Sequence, residues 1–208
     1  MHPTLAEIAR ARAGLAARDP VMAVIDAAVP PLAWRSRPAG FATLVRMVME
    51  QQVSTASADA IWRRLEAGLG KVTPASVLAK SEDELRGFGL SRQKALYARE
   101  IAAAGVDFPA LSAAPEEAAE ATLIAIKGVG RWTAEVYLLM CEGRADAFPA
   151  GDLALQEAMR AAEGWPLRPS ERALRARAEP WRPWRGVAAH LLWAFYRVAR
   201  RPPASPGA

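Results

Sequence analysis

Two glycines separated by one apolar residue, set between two helical runs, carry the strongest chemical signal in this 208-residue chain. The stretch from Leu123 to Met140 reads LIAIKGVGRWTAEVYLLM: an apolar helical run ends at Lys127, Gly128-Val129-Gly130 follows, and a second helix begins at once. Glycine admits positive φ and lets another backbone come close. The three residues therefore make a very tight turn, with Val129 tucked back between the helices as a plug. The first N–H groups of the second helix have no partner inside it, and with the helix dipole behind them they suit a phosphate. An ordinary corner between two helices has the same GxG pattern, so the glycines alone do not separate packing from binding. Further along, AFPAGDLALQEAMR places Asp152 behind Pro149, Ala150 and Gly151 and directly before a helix. That is the position an aspartate takes as an N-cap. Of the seven tryptophans, Trp132 opens the second hairpin helix. Trp193 lies off the apolar stripe formed by Val187, Leu191, Ala194, Phe195 and Val198 on the last helix.

The residues after the turn extend the pattern. LxxIKGVGRWTA resembles the helix-hairpin-helix of the HhH-GPD superfamily of DNA glycosylases, most of all the DNA-3-methyladenine glycosylase II group. The likeness continues through the Asp152 loop, the WxPWR stretch from Trp181 to Arg185 and Trp193, and covers roughly residues 20–200. It implies that Lys127, Gly128, Val129, Gly130 and Thr133 form a hairpin holding a DNA phosphate. It also implies a monovalent cation, Na+ or K+, on the backbone carbonyls of Ile124, Ile126 and Val129, and no required cofactor. The resemblance makes Asp152 the catalytic carboxylate. Breaking an N-glycosidic bond builds positive charge on the sugar, and an ionised carboxylate stabilises that charge and orients or deprotonates the attacking water. A cap position is compatible with this, because the helix dipole favours the anion.

By the same resemblance Trp132 and Trp193 line a pocket for an extruded base, where indole faces suit a cationic, alkylated ring. LVRMVMEQQVSTASADAIWRRL, Leu44 to Leu65, matches the segment that fills the gap in the stack. Gln52 stands at the inserting position beside Gln51, and Ser54 reads as the next N-cap. Two solvated glutamines at a helix end would look the same. GFGLSRQKALYAREIA, Gly87 to Ala102, is a second phosphate-contact candidate. Bifunctional members carry a lysine two residues after the second hairpin glycine and attack through a Schiff base. Here that residue is Trp132, and Lys127 stands elsewhere, so the expectation is base removal without strand cleavage. The expected partner is double-stranded DNA containing alkylated bases of the 3-methyladenine or 7-methylguanine type, bound by a monomer. Two rivals stay open: a helix-hairpin-helix module that binds DNA without catalysis, and a glycosylase for mismatched, deaminated or oxidised bases.

The elements that must hold these residues read as helices throughout, with no sustained period-two alternation. Pro, Gly and Ser punctuation places them at 4–17, 20–28, 40–51, 55–69, 74–80, 82–87, 92–104, 116–126, 131–142, 153–162, 170–178 and 184–199. Thr73 before Pro74, and Ser81 with Glu84, mark two starts. The expected fold is all-α and two-lobed, with the active-site cleft between the lobes. One HhH-GPD domain would cover 1–200, its first lobe about 35–115, its second about 116–200 joined by the N-terminal segment, and a flexible tail would follow at 201–208. Cys141, the single cysteine, excludes an internal disulfide and any four-cysteine cluster. The net charge of +5, with 23 arginines against 4 lysines, fits a nucleic-acid partner and equally a GC-rich genome. No run approaches the length of a membrane span, and the charged amphipathic start lacks the apolar centre of a secretory signal. The expected location is the cytoplasm, at the nucleoid.

Overall fold

The computed structural model describes residues 2–200, and among them every regular element is helical. The tail expected to be flexible, 201–208, lies outside the described residues. The chain divides into two units: one takes the N-terminal part up to Ser36 together with the chain from Gly143 on, the other is Arg37–Glu142.

The first unit holds α1 (Leu5–Arg18), α2 (Pro20–Ala28), α11 (Leu153–Glu163), α12 (Glu171–Ala178) and α13 (Arg185–Ala199). Thr4 and Glu7 close a capping box at the start of α1. Asp19 caps α2, whose first residue is Pro20, as expected where the lost N–H would be unpaired anyway. α13 packs against α11, α2 and α1 and buries Val187, Leu191 and Leu192 with Leu15, Met22, Ile25, Leu155 and Met159. Trp181, fully buried, donates its indole N–H to Asp19 at 2.7 Å, and Arg177 pairs with the same carboxylate at 2.5 Å. Burial opposes the Asp19 charge, but Arg177 and the indole outweigh it and hold the carboxyl below its ordinary range.

The second unit holds α3 (Phe41–Glu50), α4 (Thr55–Leu69), α5 (Pro74–Leu78), α6 (Glu82–Gly87), α7 (Arg92–Ala103), α8 (Phe108–Ala113), α9 (Glu116–Ile124) and α10 (Arg131–Met140). α7 packs against α3, α5 and α6, and α10 against α9 and α3. Their inward faces bury Leu44, Val48, Val77, Leu85, Ile101, Leu123 and Leu138. The Thr73 cap and the Ser81–Glu84 capping box both form.

The division of the chain departs from the expected one. The boundary placed near residue 115 falls inside the second unit, because α8 packs on α9, and α9 on an α10 that also packs on α3. The hairpin thus groups with the helices before it. Two short elements were not anticipated: α8, capped by Asp107 with Pro109 in its first turn, and a 3-10 turn at Glu179–Trp181. Each is too short to show a helical period. No helix among the described residues is long and apolar enough to cross a membrane.

Candidate active site and nucleic-acid interface

The hairpin joins α9 to α10 in the second unit. The Val129 N–H donates to the Ile126 carbonyl at 3.0 Å, and Val129 is buried as the plug, 3% exposed. Only one of the two glycines is used for its backbone freedom. Gly128 has φ +96°, and a Cβ on it would lie 2.3 Å from the Tyr97 ring on α7. Gly130 has an ordinary φ of −81°, and a Cβ on it would meet nothing within 4 Å. The fold therefore gives no steric reason for glycine at 130. Gly130 is also the N-cap of α10 and offers no side chain to its amides, which suits an external acceptor. Lys127 is exposed and pairs with Glu100 at 3.2 Å. Thr133 departs from the expected phosphate role: it is 2% exposed, and its hydroxyl oxygen accepts the Gln51 side-chain N–H at 2.8 Å. Trp132 stays at the surface of α10, 38% exposed.

The two glutamines after α3 part company. Gln51 turns to Thr133, while Gln52 is exposed with φ +56°, the one positive φ outside glycine among the described residues. Such a conformation is costly for a side-chain-bearing residue and has to be imposed by its surroundings. Ser54 caps α4, as expected. The second phosphate-contact candidate repeats the hairpin geometry: Gly89 has φ +97°, Leu90 is buried, and α7 begins at once. It differs at the cap, where the Ser91 hydroxyl accepts the Lys94 N–H at 3.2 Å. One amide of that helix is satisfied from within, unlike those at Gly130.

In the first unit Asp152 caps α11. One carboxylate oxygen, Oδ1, accepts the N–H groups of Ala154 at 2.9 Å and Leu155 at 3.1 Å, and the Trp193 indole N–H at 3.1 Å. The Gln156 side chain donates to the Ala150 carbonyl at 2.9 Å, pinning the loop that carries Asp152. The cap expected of Asp152 is thus formed. Trp193 is 7% exposed, more enclosed than its position off the apolar stripe implied. Its ring meets His190 edge-on at 5.5 Å, His190 stacks on Trp34 at 4.1 Å, and the Arg35 guanidinium lies 5.8 Å from the Trp193 ring. Burial lowers the His190 pKa to about 4, so the ring is neutral near pH 7. Its Nδ1–H donates to the Gly186 carbonyl at 2.9 Å, and its Nε2 accepts the Arg35 N–H at 3.2 Å. Among the described residues no cluster of three or more His, Cys, Asp or Glu side chains could hold a metal ion.

Residues 45–183 match the HhH-GPD superfamily of base excision DNA repair proteins. The chain belongs to the HhH-GPD superfamily. It is 30% identical over 166 residues to DNA-3-methyladenine glycosylase 1 of Schizosaccharomyces pombe, covering 75% of this chain and 72% of that one. It is 34% identical over 161 residues to a probable bifunctional transcriptional activator/DNA repair enzyme AlkA of Mycobacterium tuberculosis. There it covers 72% of this chain and only 32% of the relative, so the chain spans about a third of that protein. The DNA-3-methyladenine glycosidase of Bacillus halodurans superposes with a TM-score of 0.79 at 29% identity, over 88% of this chain and 87% of that one. The S. pombe 3-methyladenine DNA glycosylase in complex with abasic DNA does so at 0.76 and 26%, over 88% and 95%.

Within this HhH-GPD chain the structure brings Asp152 together with Trp193, and Gln51 with Thr133. Sequence reasoning missed three side chains beside these groups. Trp34 and Arg35 sit in a proline-rich loop with no period to place them. Lys94, on α7, donates to the carbonyls of Met49 and Gln51, both at 2.7 Å. Its stretch reads as a phosphate contact, and nothing in the sequence joins it to a loop 43 residues earlier.

Proposed function

We propose that this protein is a monofunctional DNA glycosylase that extrudes a base alkylated on a ring nitrogen and hydrolyses its bond to deoxyribose. The observation that carries the reading is Asp152, held at the N-terminus of α11 by two amides and the Trp193 indole, in a chain of a base-excision family. As the C1′–N bond breaks, its electron pair leaves with the base and neutralises the alkylated ring. The Asp152 carboxylate stabilises the sugar cation, water adds to C1′, and the proton that water loses passes to the carboxylate or to solvent. A ring already cationic needs little acid assistance to leave. Names among the relatives point the same way: the S. pombe and B. halodurans proteins are 3-methyladenine glycosylases by name.

Gly128, Val129 and Gly130 would hold a DNA phosphate on the first amides of α10, and Trp132 and Trp193 would contact the flipped base. The carbonyls of Ile124, Ile126 and Val129 offer three neutral oxygens, a donor set that suits a hard cation, and would hold Na+ or K+ beside that phosphate. Trp132 at the position of the Schiff-base lysine supports hydrolysis without strand cleavage. Asp152 argues against a module that only binds DNA, since a carboxylate aimed at a polyanion weakens binding. The protein would act as a monomer on chromosomal DNA in the cytoplasm. The test is to incubate purified protein with methylated duplex DNA, identify released bases by mass spectrometry, and look for strand breaks. Release of 3-methyladenine or 7-methylguanine with intact strands supports the reading; no release, or a preference for uracil or hypoxanthine, overturns it.

A further inference from the structure

The loop after α3 is held from two sides, by Lys94 on α7 and by the contact of Gln51 with Thr133 on α10. The last carbonyls of a helix lack intrahelical donors, and a cation there also meets the negative end of the dipole. Lys94 supplies both. Its Nζ donates to the Met49 and Gln51 carbonyls at 2.7 Å each, straddling the end of α3. The lysine is itself well placed to do this: it lies in the first turn of α7, which the Ser91 cap fixes. Burial holds its pKa below the ordinary lysine range. From the other side the Gln51 side chain reaches Thr133 on α10. With its neighbour anchored twice, Gln52 takes its left-handed φ of +56° and stands exposed. Beside it lies an open hollow of about 400 Å³ lined by Val48, Val53, Lys94 and Tyr97 among others. A released loop has that space to fall into.

We propose that Lys94 is a positioning residue that holds the 51–53 loop so that Gln52 projects, and thereby sets how well the protein fills the gap an extruded base leaves. The proposal rests on the reading of Gln52 as the residue that enters the stack. It gives Lys94 a task other than phosphate contact, with two of its three N–H donors on the loop's carbonyls.

The test measures the affinity ratio between a duplex with a tetrahydrofuran abasic site and the same duplex intact, for wild type, Lys94→Met, Gln52→Ala and the double variant. This readout needs no base release, so it stays informative if alkylated bases are not the substrate. Lys94→Met is expected to cut the ratio about tenfold, to leave intact-duplex affinity and its salt slope unchanged, and to add nothing in the Gln52→Ala background. Lys94→Arg, which keeps a cation at the end of α3, should restore most of the preference. Amide exchange at 51–53 should quicken in Lys94→Met while the helices stay protected, which separates a freed loop from a misfolded protein. Independent, multiplying effects of the two substitutions would overturn the proposal. So would a salt slope lowered by about one, the mark of a lost phosphate contact, or a Gln52→Ala variant that keeps the full ratio.

Discussion

On the proposed function, Asp152→Asn should abolish catalysis and leave the fold almost untouched. Asparagine caps a helix as well as aspartate does. Its carbonyl oxygen can go on accepting from Ala154, Leu155 and the Trp193 indole, all of which now converge on Oδ1. Stability should therefore change by less than about 0.5 kcal/mol. What disappears is the charge. A carboxylate about 4 Å from a developing cation, at an effective dielectric near 20, contributes about 4 kcal/mol, or roughly a thousandfold in rate. Asp152→Ala should be equally inactive but less stable. It loses the cap, about 1 kcal/mol, and leaves the enclosed Trp193 N–H without its acceptor, about 1–3 kcal/mol more. Neither variant should bind an abasic duplex more weakly than wild type, since a negative charge facing the polyanion is gone. Single-turnover release of 7-methylguanine, urea unfolding and abasic-duplex binding read the three quantities. An Asn variant within tenfold of the wild-type rate would remove Asp152 from the chemistry. Equal stability of the Asn and Ala variants would refute the assigned hydrogen bonds.

Three other expectations follow from the same geometry. Gly128→Ala should destabilise by more than about 2 kcal/mol, because of its positive φ and the Tyr97 ring in the way, while Gly130→Ala should unfold within about 1 kcal/mol of wild type yet bind all duplexes more weakly; denaturant melts and duplex titrations separate the two. Trp193→Phe keeps a ring but drops the N–H to Asp152, so excision should slow about tenfold, roughly the value of one charge-assisted hydrogen bond, with abasic-duplex binding unchanged. Burial lowers His190 from 6.5 to about 4, so as pH falls the unfolded chain takes the proton first and the folded state loses stability through that window, about 3 kcal/mol in all; unfolding followed from pH 7 to pH 4 should show this slope, and His190→Gln should flatten it.

What the sequence disclosed and what it withheld divide along a physical line. Helices announce themselves through features local to a few residues. Thr73 before Pro74, Ser81 three residues ahead of Glu84, and Asp152 after a Pro-Ala-Gly loop each form the cap their type and place imply. The tight turn at Gly128 was legible for the same reason, since a positive φ selects glycine locally. Gly130 looked like its equivalent and is not: the two glycines read alike in sequence, and only the open space around one and the Tyr97 ring against the other tell them apart. Contacts across long separations leave no such mark. Thr133 reads as part of a phosphate hairpin until its hydroxyl is found on Gln51, 82 residues away. Lys94 lies in a stretch that reads as a phosphate contact, and only the fold finds its ammonium closing α3. Trp34 and His190, 4.1 Å apart, lie at opposite ends of the chain. The division between units was misjudged on the same ground, because packing of α10 on α3, not the order of helices along the chain, decides where the hairpin belongs. Local pattern therefore names the groups that backbone and cap geometry place. The side chains that hold those groups in place come from elsewhere in the chain, and only the folded structure identifies them.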